Sequence, residues 1–143
     1  MLHNLAVGTV MICLTVLIHT IGIMAITRLA RHLVRRFGLV GWLRRVFAMV
    51  GVVLGIFAVS AAEIWMWAGA YVVLRAMPDF SLALYLSTVT YSTVGYGDVV
   101  PAPSWRMLAA LEGVTGFLMI GWSTAYLVSA STRFGPFRSG EHF

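Results

Sequence analysis

The chain has 143 residues, of which 60% are hydrophobic and 10% are charged, and its formal net charge is +5. Soluble domains carry about 25% charged residues, so this composition excludes an ordinary soluble protein and predicts a membrane protein. The basic residues are all arginines beside hydrophobic segments, where they mark topology and anchor lipid, and we therefore expect no nucleic-acid partner. A single cysteine, Cys13, excludes a disulfide within one subunit.

The first hydrophobic stretch, residues 5–27, contains no Arg, Lys, Asp or Glu. It is long enough for a helix across a hydrocarbon core of about 30 Å. It lacks the positive start and the small-residue cleavage site of a signal peptide, so we expect it to remain as a transmembrane helix. His19, alone on its apolar face, is interpreted as a hydrogen-bonded packing residue rather than a metal or proton site.

An arginine-rich segment with a turn at Gly38 and Gly41 follows this stretch. The positive-inside rule predicts that it is cytoplasmic, which places the N-terminus outside and the tail, residues 133–143, in the cytoplasm. The arginines lack the strict three-residue repeat of a voltage sensor. We interpret the segment as an amphipathic linker that binds anionic lipid through Arg28, Arg31, Arg35, Arg36, Arg44 and Arg45.

Two further stretches are long enough to span a membrane, and each contains one acidic residue. Residues 46–74 contain Glu63, and residues 107–132 contain Glu112. An acidic residue at this depth is a functional candidate, although a structural role is also open. Aromatic residues near the end of the second span predict a belt at the membrane interface, made of Trp65, Trp67 and Tyr71.

The segment between the second and third spans is too apolar for an ordinary loop. Asp79 or Ser81 is suited to cap a helix over the next dozen residues, which would cross half of the bilayer. Glycine-rich backbone and Pro101-Ala102-Pro103 follow. Irregular backbone at membrane depth is tolerated only where it is buried in protein or lines a watery path, so this segment predicts a pore.

The run from Thr93 to Asp98, Thr-Val-Gly-Tyr-Gly-Asp, resembles the pore signature of the tetrameric potassium channels of the two-transmembrane pore-loop type. The resemblance covers residues 46–132. It implies an all-α membrane fold with three transmembrane helices, the first being additional to the family's two, a re-entrant pore helix and a selectivity filter. It also implies a homotetramer, with an N-terminal segment, residues 1–45, before the pore domain, residues 46–132.

The resemblance assigns roles to the residues of the signature. Backbone carbonyls would replace the water shell of a potassium ion, and they would come from Thr93, Val94, Gly95 and Tyr96. Gly97 and Asp98 would support the filter, and Tyr96 would pack behind it. The chain departs from the family at Tyr85-Leu86, where many members carry paired tryptophans, and at Val89, where some carry a glutamate.

The third span resembles the family's inner helix. Gly116 lies at the family's hinge position, although helix packing explains this glycine equally well. The face expected to line a cavity contains Phe117, Ile120, Gly121, Thr124 and Val128. Glu112 lies about 140° around the helix from Phe117, so it is expected to point away from the cavity, toward the pore helix or the second span. There it would support the filter or tie helices together, with partners among Glu63, Ser87, Thr88 and Tyr91.

The most consistent function is therefore passive potassium conduction through a homotetramer in a cell membrane, with potassium as the permeant ligand and no cofactor. The chain shows no constellation typical of an enzyme. Two alternatives remain open. One is a non-conducting membrane subunit that modulates another channel or transporter, and the other is a less selective cation channel. The sequence does not specify a gating stimulus.

Overall fold

The computed structural model describes residues 2–36 and 42–134, and the described part contains four α-helices. The elements in chain order are α1 (Leu2–Arg36), α2 (Trp42–Val73), α3 (Phe80–Tyr91), a short 3-10 turn (Pro103–Trp105) and α4 (Arg106–Phe134). Three of the helices are long and apolar enough to cross a membrane. The predicted all-α membrane fold is thus confirmed.

Helix α1 is longer than its apolar stretch. Its 35 residues correspond to about 50 Å, whereas a hydrocarbon core is about 30 Å thick. The helix continues through Arg28 to Arg36 because arginine is a good helix former and no proline or glycine interrupts this stretch. The arginines therefore lie on the last turns of α1 and the first turns of α2 rather than on a separate linker. The turn predicted at Gly38 and Gly41 lies outside the described residues.

Helix α3 is the predicted half-membrane helix, with 12 residues. Its N-cap is Asp79, whose carboxylate accepts a 3.0 Å hydrogen bond from the backbone N–H of Leu82. A side-chain acceptor at this position satisfies an amide that has no partner inside the helix. The structure thus selects Asp79, not Ser81, as the capping residue.

The chain enters and leaves the α3 region at the same end of the bundle. Helix α2 ends at Val73, and Arg75 adopts a left-handed φ of 55° as the backbone reverses. After the candidate filter, the N–H of Ala102 donates a 3.1 Å hydrogen bond to the carbonyl of Ala76. Residues 76–102 therefore form a re-entrant segment.

Helix α1 packs against α2 and α4, and α3 lies against α2 and α4. At the start of α1, Asn4 donates a 2.5 Å hydrogen bond to the carbonyl of Ser104, and the His3 and Trp105 rings lie 5.3 Å apart. The N-terminus is thereby fixed at the bundle end where residues 76–102 enter and leave. Large apolar side chains remain exposed along all three long helices, as expected for a surface that meets lipid or other subunits.

Candidate functional site

The candidate filter, residues 93–98, begins directly at the C-terminus of α3. The amide of Thr93 donates a 3.0 Å hydrogen bond to the carbonyl of Thr90, and the amide of Gly95 donates a 2.9 Å hydrogen bond to the carbonyl of Val89. The last carbonyls of a helix lack partners within the helix, so these bonds both cap α3 and fix the first filter residues to it. The position of α3 thus determines where the filter backbone starts.

The filter backbone alternates between two conformations. Thr93, Gly95 and Gly97 have φ values of 62°, 56° and 76°, whereas the intervening Val94 and Tyr96 have negative φ. Alternating left- and right-handed residues turn successive N–H groups toward one side of a chain, which leaves the carbonyls facing the other. Glycine adopts positive φ without strain, but a β-branched residue such as Thr93 does so at a cost. The alternation of φ suits a row of carbonyl oxygens on one side of the backbone.

The side chains of Val94 and Tyr96 in the candidate filter are largely exposed in the single chain. Tyr96 is 72% exposed and Val94 is 54% exposed, and the glycines are exposed as well. The packing of Tyr96 behind the filter, expected from the resemblance, is not present among the described residues of the single chain.

Asp98 is hydrogen-bonded to Tyr85 of α3, the predicted pore helix. The Tyr85 hydroxyl donates a 2.7 Å hydrogen bond to one carboxylate oxygen, and the backbone N–H of Val99 donates to the other. The bond from Tyr85 stabilises the charged carboxylate and lowers the pKa of Asp98 from its ordinary value. Tyr85, at a position where the family often carries tryptophan, therefore does form a polar contact with the end of the filter.

Glu112 is fully buried between three helices. Its carboxyl oxygens lie 2.5 Å from the hydroxyls of Ser87 on α3 and Tyr71 on α2. The predicted direction, away from the Phe117 face and toward the pore helix, is confirmed. Ser87 is one of the predicted partners, whereas Thr88, Tyr91 and Glu63 form their hydrogen bonds elsewhere.

Tyr71 is a partner of Glu112 that the sequence did not predict, because its position near the end of the second span indicates an aromatic belt. Only Trp65 suits that belt, being 59% exposed, whereas Trp67 and Tyr71 are completely buried. The spacing of these residues along α2 does distinguish Tyr71 from Trp65. Glu63, Trp67 and Tyr71 recur every four residues, which places them on one helix face, while Trp65 lies on another.

Glu63 and His19 form a second buried polar group. His19 Nδ1 lies 3.0 Å from Glu63 Oε1, and the Tyr91 hydroxyl donates to the other oxygen of Glu63. The interpretation of His19 as a hydrogen-bonded packing residue is confirmed. Its partner was not predicted, since the two residues are far apart in the sequence. Within residues 2–36 and 42–134, no buried side-chain polar atom lacks a hydrogen-bond partner.

Gly116 lies where α4 meets the end of α3. A Cβ atom at this position would lie 2.1 Å from the carbonyl oxygen of Tyr91, so only glycine permits this approach. Of the two readings left open for Gly116, helix packing is therefore the one that the structure supports. The predicted cavity-lining residues lie on exposed parts of α4, namely Phe117, Ile120, Gly121, Thr124 and Val128. Their role stays a prediction.

A family model described as ion channel matches residues 60–133, which is just over half of the chain. The match contains the C-terminal part of α2, all of α3, the candidate filter and most of α4. No curated protein and no solved structure gives a significant match. The domain boundaries at residues 45 and 132 stay a prediction.

Proposed function

This chain belongs to the ion channel family, and from that premise we propose that it conducts potassium ions selectively and passively across a cell membrane. Potassium is the transported ion. Its passive transport requires no cofactor. The family match supports a transport role rather than an enzymatic one.

The alternation of φ at Thr93, Gly95 and Gly97 carries this proposal. Potassium loses its water shell in a selective pore, and uncharged carbonyl oxygens replace that shell. The conformation of residues 93–97 suits a row of such oxygens, with the carbonyls of Thr93 to Tyr96 as the ligands and the Thr93 hydroxyl at the inner end. Gly97 and Asp98 support the other end of this row.

A ring of carbonyls requires several copies of the chain, because each subunit contributes one filter strand. The proposed assembly is a homotetramer with its axis along the pore. The exposure of Val94 and Tyr96 supports it, since neighbouring subunits would cover these side chains. The exposed face of α4 would then line the cavity, and the arginines around the ends of α1 and α2 would bind anionic lipid.

Purified protein in liposomes tests the proposal by potassium uptake measured against sodium uptake. The decisive variant is Gly95→Ala. Apart from its two neighbours in sequence, an alanine Cβ would meet no atom of the described residues within 4 Å, yet Gly95 has a φ of 56°. Alanine in the left-handed region costs about 1–2 kcal/mol per residue, and with four copies we expect at least a ~10-fold loss of potassium-over-sodium selectivity.

Gly69→Ala is the matched control. Gly69 also has open space around its Cβ position, but it lies within α2 without a positive φ. The potassium-over-sodium selectivity of Gly69→Ala should equal that of the wild type. Unchanged selectivity in Gly95→Ala, or equal sodium and potassium uptake by the wild type, would contradict the proposal.

A further inference from the structure

The buried group of His19, Glu63 and Tyr91 joins three helices at one point. His19 is on α1, Glu63 on α2 and Tyr91 is the last residue of α3. Each is at most 1% exposed. The imidazole and the phenol hydroxyl each occupy one oxygen of the same carboxylate.

The contacts of His19, Glu63 and Tyr91 restrict the positions of their side chains. Besides its contact with Glu63, the His19 ring has Ser123 Oγ 3.4 Å from Nε2 and the Trp122 ring 5.2 Å away. Both of these residues are on α4, so all four helices meet around the group. A buried carboxyl group that loses a hydrogen-bond partner is left with an unsatisfied polar atom, which costs more than the hydrogen bond itself contributes.

Tyr91 transmits this constraint to the filter. Its hydroxyl is held by Glu63, and its backbone packs directly against Gly116 of α4. The candidate filter begins two residues later, at Thr93, whose left-handed conformation depends on its surroundings. A displacement of Tyr91 would therefore move the start of the filter backbone.

We propose that His19 is a positioning residue for the selectivity filter, which makes α1 a working part of the pore rather than a membrane anchor alone. His19 orients Glu63, Glu63 holds Tyr91, and Tyr91 sets the position of Thr93. This inference rests on the proposed potassium function, but its structural core, the dependence of the filter backbone on His19, is measurable without conduction.

Three variants test the chain of contacts. His19→Leu removes the side-chain hydrogen bond to Glu63, His19→Asn retains an amide group close to the position of Nδ1, and Tyr91→Phe removes only the hydroxyl. The matched control is Thr15→Val. Thr15 lies one turn before His19, is equally buried, and accepts a 3.0 Å hydrogen bond from the indole N–H of Trp67 of α2. Within the described residues, the Trp67 side chain forms no hydrogen bond with Glu63 or Tyr91.

The first measurement is potassium-over-sodium selectivity in liposomes. The loss of a typical hydrogen bond corresponds to an effect of up to roughly 10-fold, so we expect about 5- to 10-fold lower selectivity in His19→Leu and in Tyr91→Phe. The double variant should be little worse than either single one, because both act through Glu63. His19→Asn should recover most of the selectivity, and Thr15→Val should retain it.

The second measurement is hydrogen exchange of the backbone amides in residues 89–97, which does not depend on ion flux. His19→Leu should accelerate exchange there, whereas Thr15→Val should not. Unchanged exchange in His19→Leu, or equal acceleration in both variants, would overturn the inference. If the wild type does not select potassium, the proposed function fails, and the exchange result still decides whether His19 positions this segment.

Discussion

At the scale of single residues, the environment of Glu112 restricts how its carboxyl group is hydrogen-bonded. Ser87 has one hydroxyl proton, yet its Oγ lies 2.5 Å from Glu112 and 2.9 Å from the carbonyl oxygen of Ile64. Both contacts are hydrogen bonds if a neutral Glu112 donates to Ser87, Ser87 donates to Ile64, and Tyr71 donates to Glu112. A glutamine side chain reproduces this pattern, with its amide N–H as the donor.

Glu112→Gln is therefore expected to keep near-normal potassium selectivity. Glu112→Ala leaves the buried Tyr71 hydroxyl without its acceptor, which costs about 1–3 kcal/mol per subunit, and current should decay faster. Recordings in planar bilayers over several minutes measure both properties. If Gln is as damaging as Ala, the negative charge matters and the hydrogen-bond assignment is wrong.

The position of Glu112 also excludes one alternative, namely that its carboxyl group faces the cavity. A carboxylate facing the cavity would attract intracellular magnesium or polyamines and produce voltage-dependent block. Because Glu112 is fully buried against α2 and α3, such block is not expected from this residue. Glu112 on α4 and Glu63 on α2 thus both form side-chain hydrogen bonds with α3, through Ser87 and Tyr91.

At the scale of the helices, the contact between α3 and α4 depends on Gly116. Gly116→Ala would force the two helices apart, because the added Cβ would lie 2.1 Å from the Tyr91 carbonyl oxygen. Overpacking of this kind costs about 1–3 kcal/mol, so we expect a lower thermal unfolding temperature together with reduced selectivity.

Gly113→Ala is the control for this prediction, since Gly113 lies one turn earlier on α4 and faces the same helix. Its added Cβ would lie 3.6 Å from the carbonyl oxygen of Thr90, an ordinary contact. This variant should unfold like the wild type. If Gly116→Ala also unfolds at the wild-type temperature and changes only channel opening, Gly116 acts as a hinge instead.

At the scale of the whole molecule, the contacts of the N-terminus link the topology of α1 to that of the pore. Asn4 and His3 lie against residues 104 and 105, at the bundle end where the re-entrant segment begins and ends. The side of the membrane that holds the N-terminus therefore also holds this end of the pore segment. The positive-inside rule predicts that this side is the exterior.

Cysteine labelling with a membrane-impermeant maleimide tests this topology. In a Cys13→Ser background, a Leu2→Cys variant should react only from outside, because Leu2 is 84% exposed. Arg133→Cys, near the end of α4, should react only from the cytoplasmic side and serves as the control. Reaction of Leu2→Cys from the cytoplasm alone would show that the orientation is inverted.

The features that the sequence by itself determined are those that depend on local chemistry. Three apolar stretches reach the length of a bilayer, Asp79 has the side chain of a cap, and two glycines permit the left-handed backbone of the filter. The helical period also predicted the direction of Glu112. Each of these properties follows from residues that are close together along the chain.

The partners of the buried polar groups were decided only by the tertiary structure. His19 meets Glu63, and Tyr71 meets Glu112, across more than 40 residues of sequence in each case. Such pairs depend on how each helix is rotated and how closely the helices approach, and every apolar face is an equally good candidate until the helices pack. The role of Gly116 was open for the same reason, because a glycine that permits close approach differs from a hinge only in what lies opposite it.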